Sequence, residues 1–297
     1  MYSYSAKKIF TLLVCVFALL LLISTPLSAS AHSDWRWHKP TPTPQLTKTK
    51  TPAMTPTAQI QTPISTQVSS SSLLKVGAKF QYQLQGTFSL ISGVQIYDVD
   101  GFDTPMQTVQ TIHASGAVAV CYIDAGTYEN WRLDEALFPP FVKGSSNGWP
   151  GEAWLDIRQI SILLPIIEAR IAMCSSKGFD AVELDNVDGY TNKTGFSLTA
   201  QDQLQFNKVL SELAHKHNLL AVLKNDPDQA SQLVSSFDAV LDEQCFQYSE
   251  CSSFSSFVAA KKPVFTVEYK SCPSTIPNGF SVIHKNTSLD SYVQFCN

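Results

Sequence analysis

Short apolar segments with strand chemistry alternate with segments of helical periodicity from residue 80 onward. The eight strand segments are FQYQLQ from Phe80, VQIYDV from Val94, AVAVCYI from Ala117, FDAVELD from Phe179, LLAVLKN from Leu219, FDAVLDE from Phe237, PVFTVEY from Pro263 and FSVIHKN from Phe280. The segments before the third, fourth and fifth carry apolar residues at i, i+3, i+4 and i+7, and shorter helical segments precede the sixth and seventh. This alternation predicts a parallel sheet buried by helices.

Eight such strands predict a (β/α)8 TIM barrel that forms a single α/β domain over residues 75–297. The length of this region lies at the compact end of the usual range for such barrels. An open, doubly wound parallel sheet is the alternative. No glycine-rich phosphate loop follows any early strand, and this weakens a nucleotide-binding version of that alternative.

The first residues have the pattern of a secretory signal peptide, which we place at residues 1–31. Lys7 and Lys8 precede an apolar run from Ile9 to Ile23, and the small-residue sequence ASA occupies 29–31. An uncleaved membrane anchor is the competing interpretation, but the apolar run is short for a bilayer span. We therefore expect a secreted, extracellular protein with no further contact with a membrane.

The stretch from residue 32 to residue 74 is rich in Thr, Pro, Ser and Gln, as in KPTPTPQLTKTKTPAMTPT. Proline removes backbone donors, and the apolar content is too low to form a core. We expect an extended, disordered linker here, and this linker is a candidate for association with a cell wall.

The charge of the chain is unevenly distributed. The whole chain has 21 basic and 25 acidic residues, and residues 1–74 hold six of the basic and one of the acidic ones. The domain therefore has 15 basic against 24 acidic residues, a net charge of −9. Such a domain would repel nucleic acid and favours neutral or cationic partners, although solubility alone explains the charge equally well.

The chain has seven cysteines, and Cys15 lies in the signal peptide. The other six form an even set in an exported chain, for which disulfides are expected, although six cysteines allow fifteen pairings. Nearness in sequence suggests Cys245 with Cys251; Cys272 with Cys296 would hold the C-terminus, and Cys121 with Cys174 remains. No CxxC pair occurs, and His215 and His217 are distant from any cysteine, so we expect no metal and no cofactor.

Polar residues follow the ends of the predicted strands, whereas the strand starts are mostly apolar. In a (β/α)8 barrel the catalytic groups lie at the C-terminal ends of the strands. The residues in question are Asp98, Asp100, Asp124, Asp185, Asp188, Lys224, Asn225, Asp226, Asp242, Glu243, Gln244 and Glu268. This asymmetry predicts an active-site mouth at that end of the barrel.

Two of these acids have the placement that glycoside hydrolysis requires. Alternation along FDAVELDNV places Glu183 and Asp185 on the inner face, with Asp185 at the top. The second FDAV segment delivers Glu243 at the end of another strand. One such carboxyl group acts as an acid, and the other as a nucleophile or base. Ion pairing with Arg158, Lys224 and other bases on the rim is the alternative explanation.

Aromatic residues near the strand ends favour a sugar substrate. Trp131, Trp149 and Trp154 lie in the long loop after the third strand, and Tyr97, Tyr122, Tyr128, Tyr190, Tyr248 and Tyr269 lie near strand ends. Flat rings pack against the C–H faces of sugars. Core packing could account for some of them, and Trp154 is a better core candidate than Trp149. Neither a G-x-S-x-G nor an H-E-x-x-H motif occurs, which disfavours serine and zinc hydrolases.

Eight segments together resemble glycoside hydrolase family 114, the endo-α-1,4-polygalactosaminidase family. They are YQLQG at Tyr82, YDVD at Tyr97, CYIDAGTYENWR at Cys121, GWPGEAWLDIR at Gly148, KGFDAVELDNVDGY at Lys177, GFSLTAQDQLQFN at Gly195, LKND at Leu223 and EQCFQYSEC at Glu243. The resemblance covers nearly all of residues 80 to 270, and its segments are long and in order.

The resemblance implies a (β/α)8 barrel that hydrolyses α-1,4-linked galactosamine polysaccharide. A partly deacetylated polymer of this kind is cationic, which suits the acidic domain, and we expect the enzyme to be a monomer. The resemblance matches the two catalytic acids to Asp185, as nucleophile, and Glu243, as acid/base in a retaining mechanism. Asp124 departs from the family, which favours a small polar residue there; a third acid would bind a substrate amine or change the preferred sugar.

We expect the substrate to be bound by the polar and aromatic residues of the mouth, namely Tyr97, Asp98, Tyr122, Asp124, Trp149, Asp188, Lys224, Asn225, Gln244, Tyr248 and Glu268. An α-galactosidase of different specificity and a non-catalytic carbohydrate-binding barrel are the alternative functions, because a fold alone does not determine activity.

Overall fold

The computed structural model describes residues 73–297. The predicted signal peptide at residues 1–31, and the predicted linker as far as residue 72, lie outside the described residues. Leu74, at the end of the predicted linker, is buried in the core. The described part of the chain contains no helix that is both long and apolar enough to cross a membrane.

Eight parallel strands form one curled sheet in chain order. They are β1 (Phe80–Gln83), β2 (Ile96–Asp100), β3 (Val118–Asp124), β4 (Ala181–Asp185), β5 (Leu220–Lys224), β6 (Ala239–Glu243), β7 (Val264–Glu268) and β8 (Phe280–His284). A two-residue strand, Gln294–Phe295, pairs antiparallel with β8. The predicted (β/α)8 barrel is confirmed.

The two edges of the curled sheet are joined by side chains and loop backbone. The backbone N–H of Leu84, just after β1, donates to the carbonyl of Leu289 at 3.0 Å. The buried ammonium of Lys285, just after β8, donates to Gln81 Oε1 of β1 at 3.0 Å. Gln81 in turn donates to the carbonyl of Ser291 at 2.9 Å. These bonds bring the first and last strands together, so the inner faces of all eight strands surround one interior.

Helices connect most of the strands and cover the outside of the sheet. They are α1 (Met106–Ala114), α2 (Ile160–Ser176), α3 (Ala200–Lys216), α4 (Ala230–Leu233), α5 (Cys245–Tyr248) and α6 (Ser255–Ala259). Thr199 and Asp202 form a reciprocal capping box that begins α3, which satisfies backbone N–H groups that would otherwise lack partners. Within the described residues, β1–β2 and β7–β8 are joined by loops without a helix.

Strand alternation divides the buried side chains into two clusters. Tyr82, Val120 and Phe265 belong to a cluster inside the barrel, whereas Val182 and Leu184 belong to the cluster between the sheet and the helices. Because successive residues of a strand point to opposite faces, one position decides whether a side chain faces the interior or the helices. The predicted orientation of β4 is confirmed.

Three disulfides join the six cysteines of the domain in the pairing that nearness in sequence suggested. They connect Cys121 with Cys174, Cys245 with Cys251, and Cys272 with Cys296, with Cα–Cα distances of 6.0, 4.8 and 5.4 Å. Three disulfides are typical of a protein that folds in an oxidising compartment. The first bond links β3 to α2 and lies in the core.

We predict that the double substitution Cys121→Ser and Cys174→Ser lowers the free energy of unfolding by roughly 2–5 kcal/mol. The bond closes a loop with a sequence separation of 53 residues, and its removal frees the unfolded chain and leaves two hydroxyls in the core. Urea denaturation would measure the loss. Cys245→Ser with Cys251→Ser, which opens a separation of only 6 residues, is the control and should have a smaller effect; a larger one would contradict this explanation.

Candidate active site

The ammonium group of Lys224 lies at the centre of the barrel mouth. Lys224 ends β5, is 1% exposed, and points inward. Its Nζ lies 3.0 Å from Glu183 Oε1, 3.1 Å from Asp185 Oδ1 and 3.4 Å from Glu243 Oε2. It also donates to the hydroxyl of Tyr82 at 3.0 Å. One buried cation thus connects carboxylates from two strands with a tyrosine from a third, and its burial is compensated by these partners.

Asp185, the last residue of β4, is held by several donors. The hydroxyl of Tyr122 donates to Asp185 Oδ2 at 2.7 Å, and the backbone N–H of Asn186 donates to Oδ1 at 2.8 Å. Asn186 adopts a left-handed backbone with φ of 59°, a conformation that asparagine tolerates better than most residues. The side chain of Asp185 is 16% exposed. These donors stabilise a negative charge on a carboxylate that a substrate can still reach.

Glu243 ends β6 on the inner face of the barrel. It stands six residues after Phe237, and Asp185 stands six residues after Phe179 in the other FDAV segment. The backbone N–H of Glu243 donates to Asn225 Oδ1 at 3.0 Å, and the hydroxyl of Tyr269 donates to Glu243 Oε1. With a side chain 25% exposed, Glu243 is the more accessible of the two acids.

The shared lysine limits the distance between the two acids. One oxygen of Asp185 and one of Glu243 lie 3.1 and 3.4 Å from the same nitrogen, so their separation cannot exceed the sum of these two distances. Carboxyl groups are about 5–5.5 Å apart in retaining glycosidases and about 6.5–9.5 Å apart in inverting ones. The upper limit on this pair of oxygens is compatible with the retaining arrangement.

Asp124 lies beside Asp185 but makes its contacts within the protein. It accepts hydrogen bonds from the backbone of Thr127 at 2.7 Å and from Asn186 Nδ2 at 2.7 Å, and it is buried. The Thr127 hydroxyl also donates to Asp124 and lies 3.2 Å from Glu152 Oε2. Burial raises the pKa of Glu152 to about 7, and the charge of Asp185 adds to the effect. Asp124 therefore orders the loop beside Asp185.

Asp124, Glu129 and Glu152 bring three carboxylates together, with ligand atoms within 4.8 Å of one another. Such a group has the composition of a cation site. However, Arg132 Nε lies 2.8 Å from Glu129 Oε1, and Arg170 NH1 lies 3.1 Å from Glu129 Oε2. The two guanidinium groups therefore compensate the charge of Glu129 within this cluster.

Two of the sequence-predicted substrate residues lie away from the mouth. Tyr97 lies on the outer face of β2, is buried against Phe88, and accepts from the backbone N–H of Ile91 at 2.7 Å. Glu268 ends β7 on the outer face, where it accepts from the backbone N–H of Phe246 at 3.1 Å. The expectation that these two side chains face the substrate is corrected, because both occupy the outward phase of the strand alternation.

Two further candidates face the interior and are almost completely buried. Asp98 and Lys224 are 2% and 1% exposed. Both contact other charged groups in the layer of side chains beneath the mouth, which we call the floor. Trp149 is 58% exposed beside the mouth, whereas Trp154 is 6% exposed and belongs to the core, as the sequence had suggested.

The remaining candidates lie around the rim. Asp188 follows β4, Asn225 follows β5, and Gln244 follows β6. Asn225 and Gln244 both have left-handed backbones, with φ of 51° and 73°. Tyr248 ends α5 and is 38% exposed. Asp188, Asn225 and Gln244 thus follow the C-terminal ends of the same strands that carry Asp185, Lys224 and Glu243.

Sequence reasoning missed two residues of the site. Tyr82 belongs to no recognisable catalytic motif, yet it contacts Lys224 from β1. Its position could have been found from alternation, because Phe80 and Tyr82 share the inner phase of FQYQLQ. Asn186, which bonds both Asp124 and Asp185, gave no signal apart from lying next to the predicted nucleophile.

A (β/α)8 barrel in which two accessible carboxylates face each other across the mouth defines a glycoside hydrolase. The chain belongs to glycoside-hydrolase family GH114, whose family model matches residues 61–297. A search of curated proteins found no match.

Solved structures similar to this chain include Ega3 and a domain of PelA. The crystal structure of Aspergillus fumigatus Ega3 in complex with galactosamine is 33% identical, with a TM-score of 0.70; the match covers 75% of this chain and 97% of that one. The glycoside hydrolase domain of PelA from Pseudomonas aeruginosa is 12% identical, with a TM-score of 0.56; the match covers 73% and 97% of the two chains. The second similarity concerns the fold alone.

We predict that Gly126→Ala lowers kcat on the order of 10–100-fold, because displacements near 1 Å at a reacting group have effects of this size. The backbone N–H of Gly126 donates to the carbonyl of Asp185 at 3.1 Å. An added Cβ would overlap the carbonyl oxygen of Asn186 and displace the residue that holds Asp185.

Gly93→Ala is the matched control for steady-state kinetics and thermal unfolding. Its added methyl group would meet nothing within 4 Å, and its φ of +81° makes the substitution strained. It should therefore reduce stability without reducing kcat. If both variants lose activity in proportion to stability, the proposed displacement of Asp185 is wrong.

Proposed function

We propose that this glycoside hydrolase is a secreted, endo-acting enzyme that cleaves α-1,4-linked galactosamine polysaccharide with retention of configuration. Asp185 is the nucleophile and Glu243 is the acid/base. The observation that carries the proposal is the pair of accessible carboxylates joined by Lys224 at the mouth of a family GH114 barrel. The substrate class is supported by the galactosamine bound to the Aspergillus fumigatus relative.

In the first step Asp185 attacks the anomeric carbon while Glu243 protonates the departing glycosidic oxygen. The bond to the leaving sugar breaks, and a covalent glycosyl–enzyme forms. In the second step Glu243 takes a proton from water, whose oxygen attacks the same carbon and releases Asp185. The hydroxyls of Tyr122 and Tyr269 orient the two carboxyl groups through the hydrogen bonds they donate.

The acidity of the domain supports a cationic substrate. Residues 75–297 carry a net charge of −9, and an unacetylated galactosamine polymer carries ammonium groups. A negative surface raises the local concentration of such a polymer and its rate of encounter. The three disulfides support action outside the cell, where such polysaccharides are found.

We predict that Asp185→Asn and Glu243→Gln each lower kcat on galactosamine polymer by about 10³–10⁴-fold or more, because each removes a group that makes or breaks bonds. Release of reducing ends would measure the effect. Asp103→Asn, which alters an exposed acid in the loop after β2, is the control and should retain activity.

The alternative functions predict different results in the same experiment. Hydrolysis of an aryl α-galactoside in preference to the polymer would indicate an α-galactosidase. If the wild type cleaves neither substrate, the barrel is a binding protein. If both variants retain full activity, the assignment of Asp185 and Glu243 is wrong.

The two roles can be separated by azide. With an activated aryl substrate, Glu243→Ala should be rescued by azide and give a glycosyl azide of retained α configuration, because the covalent intermediate still forms. Asp185→Ala should give the β azide by direct displacement. If Glu243→Ala gives the β azide and Asp185→Ala gives the α azide, the two assigned roles must be exchanged.

We predict that hydrolysis of the unacetylated polymer slows steeply as salt concentration rises, because salt screens the attraction between the −9 domain and ammonium groups. Measurements of kcat/KM from low to high sodium chloride would show this effect. A fully acetylated polymer of the same length is the neutral control. A flat salt response on the unacetylated polymer would contradict electrostatic recruitment.

A further inference from the structure

Two acids that the proposed mechanism does not use lie beneath the catalytic pair. Asp98 is on the inner face of β2 and Glu183 on the inner face of β4, and both are almost completely buried. Their carboxyl groups are within hydrogen-bonding distance of each other. Two ionised carboxylates have only acceptors, so this contact requires a proton between them.

Lys224 is the donor beside Glu183, and it is shared with the two acids above. Within the described residues, Asp98 Oδ1 and both oxygens of Glu183 lack an aligned hydrogen-bond partner. Lys224 Nζ lies 3.0 Å from Glu183 Oε1, and in the described part of the chain it leaves Glu183 Oε2 and Asp98 Oδ1 without a donor. A buried acceptor without a donor is costly, and a proton shared by the two acids removes that cost.

The charge balance of the floor also requires a proton. Carboxyl groups face the interior from β2, β4 and β6, tyrosine hydroxyls face it from β1, from β3 and from the residue after β7, and the ammonium group comes from β5. These groups are Asp98, Glu183, Asp185, Glu243, Tyr82, Tyr122, Tyr269 and Lys224. Among the described residues, Lys224 is the one cation paired with these acids. Four ionised carboxylates around one ammonium would leave uncompensated buried charge.

We propose that Asp98 and Glu183 share one proton and act as a positioning pair that holds the Lys224 ammonium between Asp185 and Glu243. With the shared proton, the pair carries one negative charge and attracts the Lys224 ammonium less strongly than two carboxylates would. Without it, two negative charges would lie below the ammonium and pull it away from the reacting carboxylates. The kinetic part of this inference rests on the proposed function, but the presence of the proton does not.

The titration behaviour agrees with the geometry. Burial raises the pKa of Glu183 to about 7, and the pKa of Asp98 is raised well above its usual range by burial and by the charge of Glu183. The pair therefore keeps its proton below neutral pH and releases it as the pH rises. Activity should fall over the same range as the pair ionises.

The first test is infrared spectroscopy, which detects the C=O stretch of a protonated carboxylic acid apart from carboxylate and amide bands. The wild type should show a buried acid band that disappears as the pH rises. Asp98→Asn should lack it, because this substitution replaces the carboxylic O–H by an amide N–H that donates to Glu183. Because the pKa of Glu152 is also raised to about 7, the band is assigned from the difference between the wild-type and Asp98→Asn spectra. A difference spectrum without an acid band would overturn the shared proton.

The second test is kinetic and compares three variants on galactosamine polymer. Glu183→Gln removes one of the anions around Lys224 and should lower kcat on the order of 100-fold with little change in KM. Asp98→Leu removes the donor to Glu183, and its kcat should fall as that of Glu183→Gln does. Asp98→Asn preserves a donor, so its loss of kcat should be much smaller, and its pH profile should lack the decline that the wild type shows as the pair ionises.

Matched controls separate this inference from a structural effect and from the proposed function. Asp103→Asn should match the wild type in every measurement, and thermal unfolding would exclude global damage in the other variants. If the wild type hydrolyses the polymer but Asp98→Asn and Asp98→Leu lose kcat equally, the positioning pair is wrong and the proposed function stands. If the wild type hydrolyses nothing, the infrared measurement still decides whether Asp98 and Glu183 share a proton.

Discussion

The buried ammonium of Lys224 is the interaction on which the site depends. It lies within 3.4 Å of carboxylates from β4 and β6 and contacts a tyrosine from β1. Acids such as Asp185 and Glu243 repel each other at this distance, and their burial would be unfavourable without a shared cation. The lysine therefore allows two reacting groups to occupy one mouth.

The barrel fixes the positions of the charged side chains around Lys224. Each charged side chain projects from a strand, and the strands are held in register by backbone hydrogen bonds. The loop that follows β3 packs against the end of β4 through Gly126 and Asn186. Rigid elements hold side chains more accurately than loops do, so the strand ends fix the positions of Asp185 and Glu243.

Strand alternation explains both the successes and the errors of the sequence-based interpretation. Alternation along its strand predicted that Asp185 faces inward, and Glu243 was predicted as an acid at the end of the strand that the second FDAV segment begins. The structure places both on the inner face. Tyr97 and Glu268 were also near strand ends, but each lies one position out of phase and faces the helices. The face of the strand is a better criterion for a substrate-binding residue than proximity to the strand end. Only the face excludes Tyr97 and Glu268 from the site.

The sequence by itself determined the fold class, the two acids at the strand ends and the even set of six cysteines, because these depend on periodicity and on residue type. Which of the fifteen possible pairings the cysteines form was decided by the tertiary structure. Only the tertiary structure decided that Lys224 bridges the acids and that Asp98 contacts Glu183. Those contacts join residues far apart in the chain, and they exist only because the curled sheet brings the inner faces of its strands together. Alternation along one strand predicts which face a side chain occupies, but the partners across the barrel depend on the closed shape.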